Sequence, residues 1–229
     1  MNKTKRDIFR TILLALLFLV LSGSVIFTGH LLERNMKYNK ELTEKALEEK
    51  QPETKLIPVN IRNIDLNDRI KIILENPEKE ELLYNKIDYF TGNRRISEAI
   101  TKGSINYNIP IGISMGIAWT ESRFNSLVVN QNGNNTKDWG LFQLNDVNTK
   151  GWTEREYFNV DHNTKRAMEI LKELFSLHNE NIIIVIAAYN AGSTGIKDGI
   201  SYKTLFYINS VLSYKDQFEK NMNEFILNL

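Results

Sequence analysis

The chain contains no cysteine. Disulfide staples, zinc thiolates and thiol nucleophiles are excluded together. Histidine is nearly as scarce. His30, His162 and His178 are the three in 229 residues, and no two stand at the spacing of a metal-binding helix. Neither a metal centre nor a cofactor is expected. An excess of one charge is missing too, since 29 Lys and Arg face 28 Asp and Glu. A net charge of +1 gives no field that would gather nucleic acid. Repeats and low-complexity tracts are absent. The four prolines, Pro52, Pro58, Pro77 and Pro110, fall where segments change character. The length suits one good core with appendages, not two large domains.

One long apolar run is present. Lys3, Lys5, Arg6 and Arg10 precede it, and Thr11 to Gly29 carries no ionisable side chain. At a helical rise of ~1.5 Å per residue it spans roughly the 30 Å hydrocarbon core of a bilayer. The basic flank should stay in the cytoplasm, which places the rest of the chain outside. A cleaved signal peptide is the competing reading, with Ser22-Gly23-Ser24 small enough for cleavage. The apolar character continues through Val25-Ile26-Phe27 to Leu31-Leu32, which favours an uncleaved anchor over residues 1–32 in the cytoplasmic membrane. Residues 33–60 are dense in Glu and Lys, with Glu33/Lys37 and Glu41/Lys45 four apart, and read as a solvated stalk.

Beyond the stalk the pattern is helical. Residues 61–94 read as a helical extension broken at Asn76-Pro77. From residue 95 to 229 a single domain is expected, mainly α with a small β or loop element, an α+β arrangement. Ile96, Ala99 and Ile100 mark one helix, and Pro110 opens another that runs to about Ser122. Asp161 is expected to cap a long helix with the stripe Ala167, Ile170, Leu171, Leu174 and Phe175. Ile182 to Ala188 is apolar all round, which predicts a buried helix. Tyr202 to Phe225 is amphipathic, with Leu205, Ile208, Val211 and Leu212 on one face. Between Phe124 and Asn145 the helical period vanishes, and Val128-Val129 before Asn132-Gly133 signals a hairpin.

Three short pieces carry chemistry: Glu121-Ser122-Arg123-Phe124-Asn125, Asp138-Trp139-Gly140-Leu141-Phe142-Gln143, and Ala187-Ala188-Tyr189-Asn190-Ala191-Gly192. Ile113, Ile117 and Glu121 lie four apart, so the carboxyl shares the apolar face of its helix near the C-terminus. Burial and the negative helix end both disfavour the charged form and should raise the pKa. A carboxyl kept protonated near neutral pH is what a general acid needs. The plain alternative is a surface glutamate paired with Arg123. Gly140 lets backbone approach a ligand closely, and Gln143 offers amide donors and an acceptor to a sugar. Trp139 and Phe142 have rings that stack on sugars, although such aromatics more often fill a core. Gly192 fits a helix stop after Tyr189-Asn190.

Taken in order, Glu-Ser-Arg-Phe-Asn, Gly-Leu-Phe-Gln and Ala-Tyr-Asn-Ala-Gly resemble the signature motifs of the soluble lytic transglycosylase (SLT) domain family. Thr204-Leu205-Phe206-Tyr207-Ile208 is similar to a further Thr-x-x-Tyr-Val segment of that family. The likeness covers roughly Ser97 to Tyr214. It implies a bacterial, goose-lysozyme-like fold and peptidoglycan as substrate. The implied activity is that of a lyase, cutting the β-1,4 bond from N-acetylmuramic acid to N-acetylglucosamine. Glu121 takes the catalytic position. Gly140, Phe142, Gln143, Ala188, Tyr189, Asn190 and Tyr207 take substrate-binding positions. Asn130 joins them where the family often has serine, Phe142 replaces a common Met, and Asn125-Ser126 replaces Asn-Pro.

The resemblance implies a single carboxyl acting twice, first as acid on the leaving oxygen, then as base on the muramyl C6 hydroxyl, which closes a 1,6-anhydro ring. Two other readings stand beside it. One is a hydrolytic muramidase in which Asp138 or Asp146 positions water. The other is a wall-binding module that keeps the cleft without the reaction. Endo- or exo-lytic action, and any partner machine that spans the wall, are not written in the sequence.

Overall fold

A computed structural model describes residues 65–229, and the expected anchor and stalk over residues 1–60 lie outside these described residues. The described residues, 65–229, belong to one compact unit. Among the described residues no helix is long and apolar enough to cross a membrane.

Asn76 and Pro77 divide the expected helical extension as the sequence predicts. Helix α1 (Leu66–Leu74) precedes them and α2 (Pro77–Thr91) follows. The Asn76 side chain accepts from the backbone N–H of Glu78 and Lys79, and Pro77 has no N–H to leave unpaired. Helix α3 (Arg94–Tyr107) ends at Asn108, left-handed at φ 56°, and Pro110 stands at the head of α4 (Ile111–Ser122). Next comes a small antiparallel sheet of β1 (Val129–Gln131), β2 (Lys137–Trp139) and β3 (Leu144–Asn145). The register sets Asn130 opposite Asp138, and Asp138 opposite Asn145. Short α5 (Glu154–Tyr157), long α6 (Val160–Leu177), α7 (Ile182–Gly195) and α8 (Tyr202–Leu227) complete the chain. The result is a mainly helical domain with a minor β element, as the sequence pattern predicts.

Helix α4 is the centre of the packing. Every residue from Ile111 to Ala118 is buried. Around it Ile87, Ile100, Leu171, Ile186 and Phe218 come from five different helices, each with no exposed surface. The α1 and α2 side chains Ile70, Leu83 and Ile87 belong to this same core, and Phe90 of α2 meets Phe218 of α8 edge-on at 5.1 Å. Burying a side chain of this size contributes about 1.5–3 kcal/mol. Helix α8 lies against α4 at Gly116, where an added Cβ would stand 2.5 Å from the Val211 carbonyl oxygen. That close approach carries Tyr207 up to the end of α4 that bears Glu121.

Several local expectations change on folding. The cap of α6 is Asn159, which accepts from the His162 N–H at 3.0 Å. Asp161 sits inside the first turn and pairs with Arg95 at 3.0 Å, still suited to the positive helix end. The β1–β2 turn is wider than Asn-Gly, since the Asn132 N–H bonds the Thr136 carbonyl at 2.8 Å. Asn134 makes a local turn inside it by accepting from the Thr136 N–H and hydroxyl. In α7 burial begins only at Val185, and Ile183 is 41% exposed. Leu205 leaves the buried face of α8 and is exposed, while Ile208 and Val211 keep to it.

Candidate functional site

Glu121 sits in the last turn of α4, one residue before its end. The chain then leaves through two successive left-handed residues, Arg123 at φ 55° and Phe124 at φ 60°. That sharp exit opens one side of Glu121 to a cleft of about 700 Å³. Glu121 lines the cleft, together with the turn after β1, the β2–β3 segment, one face of α6 and the end of α7. Arg123 does not pair with it. The guanidinium lies 4.5 Å over the Trp119 ring and donates to the Trp119 carbonyl.

Burial pushes the Glu121 carboxyl up to about 7, further raised by the charge of Asp138 and opposed by a hydrogen bond from Tyr207. The Tyr207 hydroxyl donates to Glu121 Oε1 at 2.6 Å, and burial holds its own pKa well above the tyrosine range. Tyr189 lines the same cleft and donates to the Phe142 carbonyl at 3.0 Å. Ala188 and Asn190 line it beside Tyr189, Ala188 buried and Asn190 exposed. Helix α7 breaks directly after them, at Gly192 with φ 72° and ψ 153°.

Of the remaining expected residues, Gln143 lines the cleft, and Asn130, Gly140 and Phe142 stand behind it. Gln143 is buried, and its amide donates to the carbonyls of Val128 at 3.0 Å and Gly140 at 2.7 Å. Its Oε1 accepts from Asn130 at 2.8 Å. Both amide donors expected to reach a sugar are thus bound to backbone, with residue 143 left-handed at φ 48° and its side chain part of the cleft lining. Asn130 faces Gln143 and does not line the cleft. Gly140 approaches protein, not ligand. At φ 75° its missing Cβ would lie 2.5 Å from the Tyr157 carbonyl and 2.6 Å from the Asn163 amide nitrogen. Phe142 is wholly buried, and Trp139 stacks on Tyr157 at 5.0 Å and 17°. Neither ring presents a face to the cleft.

The two aspartates separate. Asp138 lines the cleft and accepts from the Asn145 amide at 2.7 Å and the Asn132 amide at 2.9 Å. Asp146 accepts from the Lys137 N–H at 3.1 Å and stands outside the cleft lining.

Residues overlooked in the sequence hold this arrangement together. Asn163 of α6 is fully buried, and accepts from the Phe142 N–H at 2.9 Å. Its amide donates to the carbonyls of Trp139 at 3.0 Å and Tyr157 at 3.1 Å. Ser122 donates to the Leu141 carbonyl at 2.7 Å, tying the end of α4 to the same loop. A signal for Asn163 was present. It lies four residues before Ala167, a polar side chain on an apolar stripe.

Comparison with known proteins gives a family likeness over the segment that carries these residues. Residues 98–209 match the family described as Transglycosylase SLT domain. Protein IpgF of Shigella sonnei is 34% identical over 99 residues, which are 41% of this chain and 64% of that protein. Protein IpgF of Shigella flexneri matches with the same identity and coverage. The matched segment thus spans less than two thirds of the length of these relatives. No solved structure gives a significant match.

Proposed function

We propose that this protein is a peptidoglycan lytic transglycosylase, a lyase that cuts the β-1,4 bond from N-acetylmuramic acid to N-acetylglucosamine. The observation that carries the reading is Glu121 on the wall of a polar cleft, with a pKa raised to about 7 by burial. The SLT match over residues 98–209 supports it at family level.

Glu121 in its protonated form gives its proton to the bridging oxygen as the C1–O bond breaks, and the N-acetylglucosamine leaves as an alcohol. The acetamide of the muramyl sugar shares the positive charge at C1. Glu121, now a carboxylate, takes the proton from the C6 hydroxyl, and O6 bonds to C1. The acid is restored and no water enters. Tyr207 fixes one carboxyl oxygen through its 2.6 Å bond, leaving the other for the substrate. Tyr189, Ala188 and Asn190 form the wall beside the reacting sugar. Gln143 is part of this wall, and Asn130, Gly140 and Phe142 position it without touching sugar.

Hydrolysis is the second reading, and Asp138 is the observation in its favour because it lines the same cleft as Glu121. Digestion of purified sacculi by the full chain in heavy-oxygen water separates the two. Muropeptides ending in unlabelled 1,6-anhydromuramic acid are expected. Labelled reducing ends as the main product would transfer the assignment to a muramidase with Asp138 as the partner base.

The cleft should face the cell wall from a cytoplasmic-membrane anchor at residues 1–32. The basic flank and the apolar run from Thr11 to Gly29 motivate this placement. Spheroplasts treated with protease should lose the domain while the anchor stays in the membrane fraction. A soluble product beginning near Ser24 would show cleavage instead.

A further inference from the structure

We propose that the α6 wall of the cleft recognises the peptide carried by the muramyl sugar, through Arg166 and Glu173. The proposal rests on the peptidoglycan reading above and assigns the charged end of that site.

Arg166, Ile170, Glu173 and Leu174 all line the cleft. Their spacing puts them on one face of α6. Among the described residues that line the cleft, Arg166 is the one cation. A glycan backbone of neutral sugars gives an arginine nothing to pair with. The charges of peptidoglycan lie on its stem peptides, which carry carboxylates and the ammonium of a diamino acid or lysine. Arg166 is held but not used up. Its Nη1 donates to Glu169 at 3.2 Å and stands 3.9 Å from Glu173, and among the described residues Nε and Nη2 meet no protein acceptor. A guanidinium has five N–H donors in a planar fork, so a carboxylate can be taken without releasing Glu169.

Glu173 completes the match. At 3.9 Å its contact with Arg166 is beyond hydrogen-bond distance, and its side chain is 73% exposed. It is free to meet an ammonium. Ile170 and Leu174 are partly buried and pack against the core, leaving an apolar strip between the two charges. A peptide with alanine methyls between its charged groups fits that alternation of cation, apolar strip and anion. An exposed intrahelical ion pair is worth little to stability, so a purely structural role explains poorly why the charges sit on the cleft face.

The test compares two substrates with one enzyme. Full-length wild type, Arg166→Gln, Arg166→Lys and Glu173→Gln are assayed on peptide-bearing glycan and on glycan stripped of peptides by an amidase, with the lactyl carboxylates so exposed then capped as methyl amides. The quantity read is the ratio of kcat/KM for the peptide-bearing to the stripped substrate. Arg166→Gln should lower that ratio about tenfold, the size of one charge-assisted hydrogen bond at a partly exposed site. The change should fall on KM, with Arg166→Lys recovering part of it. A ratio unchanged by both Arg166→Gln and Glu173→Gln would overturn the proposal even if overall activity falls, since a structural defect lowers both rates together. Wild type that cuts neither substrate would overturn the peptidoglycan reading, and this proposal with it.

Discussion

Glu121→Gln should abolish cleavage of sacculi, by on the order of 10³-fold or more, while leaving a folded and more stable protein. The amide is nearly isosteric and keeps an oxygen for the Tyr207 hydroxyl, so the geometry survives while the proton to be donated is lost. The stability change follows from the direction of the pKa shift. Burial raises the Glu121 carboxyl from an ordinary value of 4.5 to about 7 in the folded state. The folded state therefore binds the proton more tightly than the unfolded one. That contribution is fully present below about pH 4.5 and is lost as pH rises through about 7. Above pH 7 the wild type holds a half-buried charge that the glutamine variant lacks. With allowance for partial exposure, the variant should be more stable by about 2 kcal/mol at pH 8, and the difference should close toward pH 5. Wild-type activity should fall along the same upper limb, because only the protonated form donates. Melts of both proteins at pH 5 and pH 8, beside a pH–rate profile, measure all three. Near-wild-type cleavage by the variant would remove Glu121 from the chemistry. A stability difference independent of pH would remove the raised pKa.

Gly140→Ala should unfold the site from behind, costing roughly 3–5 kcal/mol. Two penalties add at this position. Residue 140 is left-handed at φ 75°, where an L side chain is strained. The new methyl would also meet the Tyr157 carbonyl at 2.5 Å and the Asn163 amide at 2.6 Å, both fixed by buried hydrogen bonds. Relief by moving Asn163 would free the Phe142 N–H and the Trp139 carbonyl in the interior. For a domain of this size the melting temperature should drop by roughly 10 °C. Activity lost on heating should follow the melt. A melting temperature within about 2 °C of wild type would show that the loop relaxes freely, and that Gly140 is not there for packing.

The tolerance of these two positions differs because of what each side chain meets. Glu121 opens onto the cleft, where a polar replacement finds space. Gly140 is walled by backbone from α5 and a buried amide from α6, where no replacement does. The same contrast explains the expected substrate residues. Tyr189, Ala188, Asn190 and Gln143 reach the cleft surface, whereas Gly140 and Phe142 build the loop beneath it. A motif records that a residue type is needed at a position, and both kinds of need look alike in one sequence.

What the sequence by itself determined is local. Apolar residues every three or four positions, with Asn76-Pro77 and Pro110 as punctuation, placed the helices because helical geometry repeats over a few residues. The same period put Glu121 on the apolar face of α4, and so the direction of its pKa shift was legible. Only the tertiary structure decided which polar groups meet across long separations. It brought Tyr207 onto Glu121, set Asp138 into the same cleft while leaving Asp146 outside it, and turned the Gln143 amide inward to backbone carbonyls. It also placed Asn163 beneath the loop and Arg166 on the cleft wall. A hydrogen bond depends on distance and angle between groups that the chain brings together only after its core has formed, and one sequence has no period that encodes such a meeting.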